Sequence, residues 1–170
     1  MTNFRIYHLF WKEHEWAPSV NTDFNSKKDY GIYQVYGDHP VYGRDTLLYI
    51  GQAKGQTYSQ RMKGHTDFDS SQASKFTRFS LSYFCKVDDL CEENWGDAID
   101  IVEQALIKSH FPALNARDVK GFFDAAVPNI LIYNWGERGS LLPEVSTLRC
   151  SEFYHDSEKY NFENLALVDS

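Results

Sequence analysis

Hydrophobic and polar positions change period several times along this 170-residue chain, and the changes outline alternating strands and helices. Residues 30–36 and 46–51 are rich in Tyr, Ile and Val, and the turn-forming residues of 37–45 between them predict a hairpin. Alternation of apolar and polar residues predicts a third strand at about 76–87. Helical spacing predicts two helices, at about 56–68 and 95–110.

The order of these elements, β-β-α-β-α, predicts an α+β fold with a small, three-stranded, mainly antiparallel sheet flanked by helices. We expect a single domain, with a core at 29–117 and extensions at 1–28 and 118–170. The first extension is rich in aromatic residues and should add a strand or a short helix to the core. In the second, a strand is predicted at 129–134, and the type of a short element at 141–148 stays open.

The composition is that of an ordinary globular protein, with 42% apolar and 24% charged residues. The longest apolar runs are far too short to span a membrane, so we expect a cytoplasmic protein with no membrane partner. The three cysteines, Cys85, Cys91 and Cys150, form an odd set without a Cys-x-x-Cys pair. Reduced thiols are therefore expected rather than disulfides or a zinc site.

The net charge of −7 argues against a protein that coats nucleic acid indiscriminately, because phosphate contacts require cations. The charge is unevenly distributed, however. Residues 44–78 hold six cations and three anions, which leaves a net charge of −10 on the rest of the chain. This pattern predicts a focused phosphate site on an acidic body.

Glu103 lies inside the apolar stripe of the second predicted helix. With Ile99 at 0° and 100° per residue, Glu103 falls at 40°, close to Val102 at 300° and Leu106 at 340°. A carboxylate that is desolvated without a partner costs several kcal/mol. Glu103 should therefore be paired, protonated or bound to a metal.

Arg61 and His65 share one face of the first predicted helix, one turn apart. Arg61 carries a permanent charge suited to phosphate, and His65 could exchange a proton near neutral pH. Either residue alone would equally suit an ordinary surface or core position. Tyr33 and Tyr49 alone would suit any sheet, and Asn115 a turn or a helix cap.

The order and spacing of five signals give these residues a common interpretation. The signals are Gly31-Ile32-Tyr33, Tyr49-Ile50-Gly51, Arg61, Glu103 and Asn115. Over residues 29–117 the chain resembles the GIY-YIG nuclease family. The resemblance implies that the two tyrosines and the arginine lie together, and that Glu103 on the later helix holds one divalent cation, Mg²⁺ or Mn²⁺.

The activity that the resemblance implies is metal-dependent hydrolysis of DNA phosphodiester bonds. Mg²⁺ on Glu103 would bind the scissile phosphate and stabilise the leaving 3′-oxygen, and Arg61 would neutralise the nonbridging oxygens. Tyr33 is the general base that the family suggests, helped by Tyr49, but free tyrosine has a pKa near 10. His65 matches a position where family members have His or Tyr and would need no such activation, so the choice of base between Tyr33 and His65 stays open.

The resemblance also indicates which residues contact the substrate: Gly51, Gln52, Lys54, Lys63 and Asn115. Among these, Asn115 corresponds to the residue that fastens the site. Gln52 departs from the family pattern, because some members carry there a lysine that helps to activate the nucleophile, and Lys54 lies nearby but out of register. The stretch between the two tripeptides is also somewhat long for the family.

DNA is the expected partner, and specificity could come from a homodimer or an accessory protein. The alternative is a catalytically silent domain that keeps the fold and binds nucleic acid or protein. Intact Tyr33, Arg61 and Glu103 argue against that alternative, because a silent domain has no need of all three. A third interpretation is an unrelated α+β scaffold with coincidental tripeptides.

Overall fold

The strands and helices follow the predicted β-β-α-β-α order, and the described residues add one strand before it and two after it. The computed structural model describes residues 5–15, 31–63, 75–84, 95–115 and 129–147. The strands are β1 Arg5–Glu15, β2 Gly31–His39, β3 Gly43–Ala53, β4 Lys75–Phe84, β5 Ile130–Gly136 and β6 Glu144–Ser146. The helices are α1 Tyr58–Lys63 and α2 Trp95–His110.

The six described strands form one sheet in the order β3-β2-β4-β1-β5-β6. Neighbouring strands are antiparallel except β1 and β5, which run parallel. The α+β class is therefore confirmed, and the predicted antiparallel strands β2, β3 and β4 form one half of the sheet. The terminal extensions contribute β1, β5 and β6, which form the other half.

The predicted hairpin of β2 and β3 is confirmed, but its strands are longer than the sequence predicts. The turn is shorter than the turn-forming residues of 37–45 indicate, because β2 continues to His39 and β3 begins at Gly43. The pairing shifts register twice between Val35 and His39. Such bulges allow turn-forming residues to remain inside strands, and Gly43 tolerates a φ of 94° that other residues rarely adopt.

The other predicted boundaries agree with the structure to within two residues where residues are described. Helix α2 spans the predicted 95–110, and the short element that was left open at 141–148 contains β6. The part of the first predicted helix beyond Lys63 lies outside the described residues, as do the end of the third predicted strand beyond Phe84 and all three cysteines.

The hydrophobic core lies between α2 and one face of the sheet. Alternate residues of β1, namely Tyr7, Leu9 and Trp11, are almost fully buried there, as expected for a strand that is covered on one side. The same cluster includes Ile32, Tyr36, Ile50, Ile130, Ile132, Ile99, Val102 and Leu106. The indole Nε1 of Trp11 donates to Asn134 Oδ1 at 2.9 Å, so this buried polar group is satisfied. This packing fixes α2 beside β2 and β3, where the candidate site lies.

A short segment after α2 covers the outer edge of β3. The amide of Leu114 donates to the carbonyl oxygen of Leu48 at 2.8 Å. The buried side chain of Asn115 continues this pairing, because its Nδ2 donates to Ile50 O and its Oδ1 accepts from Ile50 N, both at 2.9 Å. Edge strands otherwise leave backbone groups unpaired. The segment therefore ties the end of α2 to the strand that carries the second tripeptide.

Replacement of Asn115 by alanine should destabilise the fold strongly. Asn115→Ala leaves the N–H and C=O of the buried Ile50 without partners, which costs about 1–3 kcal/mol per group. We expect the free energy of unfolding, measured by urea denaturation, to fall by about 2–4 kcal/mol. Ser109→Ala, at an exposed position of α2, is the control and should change it by less than about 0.5 kcal/mol. Equal effects of the two substitutions would contradict the anchoring role of Asn115.

Candidate functional site

The tyrosines of the two tripeptides meet over Gly51. Tyr33 in β2 pairs directly with Gly51 in β3, and its ring centroid lies 6.0 Å from that of Tyr49. A Cβ atom at position 51 would lie 2.5 Å from Tyr33 Oη and 2.5 Å from Tyr49 Cε1. Any larger residue would displace both rings, which gives a physical reason for glycine at this position.

Helix α1 brings Arg61 to this pair of tyrosines. The helix begins with a reciprocal cap, in which Gln60 N donates to Thr57 Oγ1 at 3.2 Å and Thr57 N donates to Gln60 Oε1 at 2.9 Å. One turn later the half-buried Arg61 donates from Nε to Tyr33 Oη at 3.2 Å. Partial burial lowers the pKa of Arg61, but Tyr33 and Tyr49 more than offset this effect, so its pKa is raised. The guanidinium is therefore permanently charged.

Burial raises the pKa of Tyr33 well above its usual value. Tyr49 raises this pKa further, and the charge and hydrogen bond of Arg61 lower it without offsetting the burial. Glu103 also raises the pKa of Tyr33, so its carboxylate is close enough to act on the hydroxyl electrostatically. Tyr33 is therefore a neutral phenol near pH 7, which works against its implied role as the general base.

Glu103 is half-buried on α2, in agreement with its place in the apolar stripe. Its carboxylate is paired with the residue that follows the second tripeptide, since Gln52 Nε2 donates to Glu103 Oε2 at 2.7 Å. Pairing was one of the three states that the sequence allowed for this carboxylate. The hydrogen bond connects α2 to the end of β3, and so to the tyrosine pair.

Gln52 also carries a buried oxygen, Oε1, that has no hydrogen-bond partner among the described residues. A buried acceptor without a partner costs free energy and calls for an explanation. Carboxylate and amide oxygens are ligands that Mg²⁺ prefers, so Glu103 and Gln52 fit a single Mg²⁺ or Mn²⁺ ion. Within the described residues, no group of three or more His, Cys, Asp and Glu side chains could hold a metal, so most ligands here would be water or substrate.

Most of the predicted catalytic residues come together. Tyr33, Tyr49 and Arg61 are in contact, and Glu103 is close enough to raise the pKa of Tyr33. His65 lies outside the described residues, and Lys63 ends α1 without a described side chain.

Two predicted substrate-binding residues have other partners. Lys54 forms an ion pair with Asp100 of α2, one turn before Glu103, and its aliphatic stem lies against Gly96. Both charged groups are exposed, so this pair contributes little stability. Asn115 uses both amide atoms on the backbone of Ile50, as the resemblance implies for a residue that fastens the site.

Two features of the site are missing from the sequence predictions. Tyr58 is fully buried, packs edge-on against Tyr33 with ring centroids 6.4 Å apart, and donates its hydroxyl to Ile32 O at 3.1 Å. It therefore supports the face of the Tyr33 ring. The cap of α1 was also overlooked, although the sequence Thr57-Tyr-Ser-Gln60 has the spacing of a capping box.

Comparison of the chain with protein-family models, curated proteins and solved structures finds no match. None of the helices in the described part of the chain is long and apolar enough to cross a bilayer.

Tyr33 should ionise only at strongly alkaline pH. The difference in phenolate absorbance between the native protein and Tyr33→Phe should show no ionisation near pH 10, the usual value for tyrosine. The control is the same difference measured with Tyr42→Phe, which removes an exposed hydroxyl.

The raised pKa of Tyr33 also makes the stability of the fold depend on pH. Because the pKa of Tyr33 is higher in the folded than in the unfolded state, its contribution is complete below about pH 10 and is lost as the pH rises further. In urea denaturation above about pH 10, the native protein should therefore lose more stability than Tyr33→Phe. Ionisation of Tyr33 below the usual pKa of tyrosine would contradict the conclusion that burial has the largest effect on its pKa.

Proposed function

We propose that the chain is a metal-dependent endonuclease that hydrolyses DNA phosphodiester bonds at the cluster of Tyr33, Tyr49, Arg61 and Glu103. The observation that carries this proposal is the hydrogen bond of 3.2 Å from Arg61 Nε to Tyr33 Oη. A partly desolvated cation usually pairs with a carboxylate. Among the described residues Arg61 instead contacts neutral phenols, so within this part of the structure its charge can act on an anionic substrate.

Arg61 would stabilise the charge that develops on the scissile phosphate. Its guanidinium has several N–H donors in a rigid plane, a geometry that matches phosphate oxygens. The hydrogen bond to Tyr33 and the cap of α1 orient the group before substrate arrives. Charge that is oriented in advance stabilises a transition state most effectively, because it needs no reorganisation during the reaction.

Tyr33 is better suited to orient the attacking water than to deprotonate it. An ordinary tyrosine would require about 4 kcal/mol of stabilisation to ionise near pH 7, and burial adds to that requirement. We therefore assign proton acceptance to His65, one turn beyond Arg61 in the predicted helix, because an ordinary imidazole can exchange a proton near neutral pH.

Glu103 and Gln52 are the residues that would hold the metal. A bound Mg²⁺ or Mn²⁺ ion would supply Lewis-acid stabilisation of charge on the phosphate. Glu103 offers a carboxylate, and Gln52 offers its buried Oε1. Gln52 also orients the carboxylate through its Nε2, as outer hydrogen bonds commonly do for metal ligands.

A single site of this kind would cut one strand at a time. Double-strand cutting would then require a homodimer or an accessory protein, and DNA in the cytoplasm is the substrate that we propose. The alternative is a silent domain that binds nucleic acid or protein through the same fold, and measurement of cleavage separates the two.

Removal of either charged residue should abolish cleavage. We expect the native protein to nick supercoiled plasmid DNA with Mg²⁺ but not with EDTA. Arg61→Ala and Glu103→Gln should each lower the rate by at least about 100-fold, as expected for loss of a group that stabilises charge in the transition state. Gel electrophoresis of nicked and linear products measures these rates.

The matched control is Glu144→Gln, which removes an exposed carboxylate in β6 and should cut at the native rate. Circular dichroism checks that each variant is folded. Cleavage that persists in Glu103→Gln would contradict the assignment of the metal ligand. Tight binding of DNA or RNA by the native protein without any cleavage would instead support the silent domain.

Gln52→Ala should weaken the apparent affinity for Mg²⁺ more than it lowers the maximal rate of cleavage. The substitution removes both the hydrogen bond to Glu103 and the second oxygen, so the Mg²⁺ concentration for half-maximal cleavage should rise about tenfold. The rate at saturating Mg²⁺ should change much less. Gln104→Ala, at an exposed position of α2, should leave the midpoint unchanged. An unchanged midpoint in Gln52→Ala would show that Gln52 does not position the metal site.

A further inference from the structure

The sheet face that carries Tyr33 continues into the strands of the two terminal extensions. Tyr33 in β2 is paired with Leu81 in β4, and Leu81 is paired in turn with Lys12 in β1. Residues that are directly opposite in a ladder share one face of the sheet. Lys12 therefore lies on the face of Tyr33, away from α2, and its side chain is exposed.

Four aromatic residues lie beside Lys12 on this face: His8, Phe10, Tyr133 and Trp135, here named the aromatic platform. Phe10 and His8 alternate with Lys12 along β1, and they pair with Trp135 and Tyr133 of β5. The exposed fractions of Phe10 and Trp135 are 52% and 48%, whereas Leu9 and Trp11 on the opposite face are almost fully buried. Large exposed apolar side chains that cluster in this way mark an interaction surface.

Three of the four rings of the aromatic platform are stacked: His8, Tyr133 and Trp135. His8 lies 5.3 Å from Tyr133 and 6.1 Å from Trp135 between ring centroids, with planes inclined by 20° and 13°. The indole Nε1 of Trp135 donates to His8 Nδ1 at 3.0 Å, which fixes both rings. Ordered rings with accessible faces are suited to stacking against flat ligands.

We infer that the aromatic platform stacks against unpaired bases of a single strand of nucleic acid. The inference rests on the proposed function, since it places the strand on the same face as the Tyr33–Arg61 contact. The net charge of −7 weakens affinity from phosphate contacts, so stacking on the rings would have to supply most of the affinity. Every base has a π-face, so this mode of binding tolerates any sequence.

The width of the sheet sets the length of nucleic acid that reaches from Tyr33 to the aromatic platform. Three strand spacings separate β2 from β5, which amounts to roughly 14 Å. At about 3.4 Å per nucleotide, this distance corresponds to about four nucleotides. Lys12 on the intervening strand β1 would contact a phosphate between the stacked bases and the cleavage site.

Fluorescence anisotropy with a labelled single-stranded DNA of about 12 nucleotides, a typical single-strand footprint, tests this inference. EDTA is present, so cleavage does not contribute. Trp135→Ala should weaken binding about tenfold, whereas Trp135→Phe should keep most of the affinity because it retains a ring. Phe111→Ala removes an exposed ring at the end of α2, outside the platform, and should bind as the native protein does.

The salt dependence separates stacking from phosphate contacts. Trp135→Ala should leave the slope of log Kd against log salt unchanged, and Lys12→Gln should reduce it by about 0.7. Bound DNA should also quench a component of the native tryptophan fluorescence that Trp135→Phe lacks. This last measurement does not depend on the stability of the alanine variant.

Unchanged affinity in Trp135→Ala would overturn the inference, and so would duplex DNA bound as tightly as the single strand. If Trp135→Ala kept its affinity but lost a dimer, the platform would be an interface between two copies. A parallel measurement with RNA of the same sequence identifies the nucleic acid. Because binding is measured without metal, failure of the nuclease proposal would appear as binding without cleavage, and failure of this inference as cleavage that is insensitive to Trp135.

Discussion

The pairing of Tyr33 with Gly51 across β2 and β3 is the constraint on which the candidate site depends. The missing side chain at position 51 leaves room for both tyrosine rings, and the Tyr33 hydroxyl then accepts the hydrogen bond from Arg61. A slip of one residue in this register would turn Tyr33 toward α2. The bulges of the hairpin lie beyond Val35, on the side of the turn, so they leave the pairing of the two tripeptides intact.

The two faces of the sheet have different roles, and the end of β3 connects them. One face packs on α2 and contains the apolar core, whereas the other carries the tyrosines and the aromatic platform. Gln52 pairs with the core residue Ile32 and therefore points toward α2, where it meets Glu103. The carboxylate of Glu103, although on the helix side, raises the pKa of Tyr33 on the opposite face through its charge. The site needs both the helix and the hairpin, and Asn115 holds them together.

Local patterns were sufficient to predict the order of elements, the bounds of α2 and the partial burial of Glu103, because each depends on periodicity within one segment. Features that depend on distant partners could not be predicted in this way. The parallel pairing of β1 with β5 joins residues more than 100 positions apart, for instance Trp11 and Gly136. Likewise, the sequence did not predict the hydrogen bond from Gln52 to Glu103, which joins two separate elements.

Burial of Tyr33 has opposite consequences for two functions of its hydroxyl. The raised pKa makes Tyr33 a poor proton acceptor, but it also keeps the hydroxyl neutral, so it can orient Arg61 without cancelling its charge. On an acidic chain this matters, because an exposed cation readily finds a carboxylate, as Lys54 does with Asp100. Among the described residues, Arg61 contacts tyrosines rather than a carboxylate, so they leave its positive charge uncompensated. The shift that argues against Tyr33 as a base therefore favours the proposed role of Arg61 in phosphate binding.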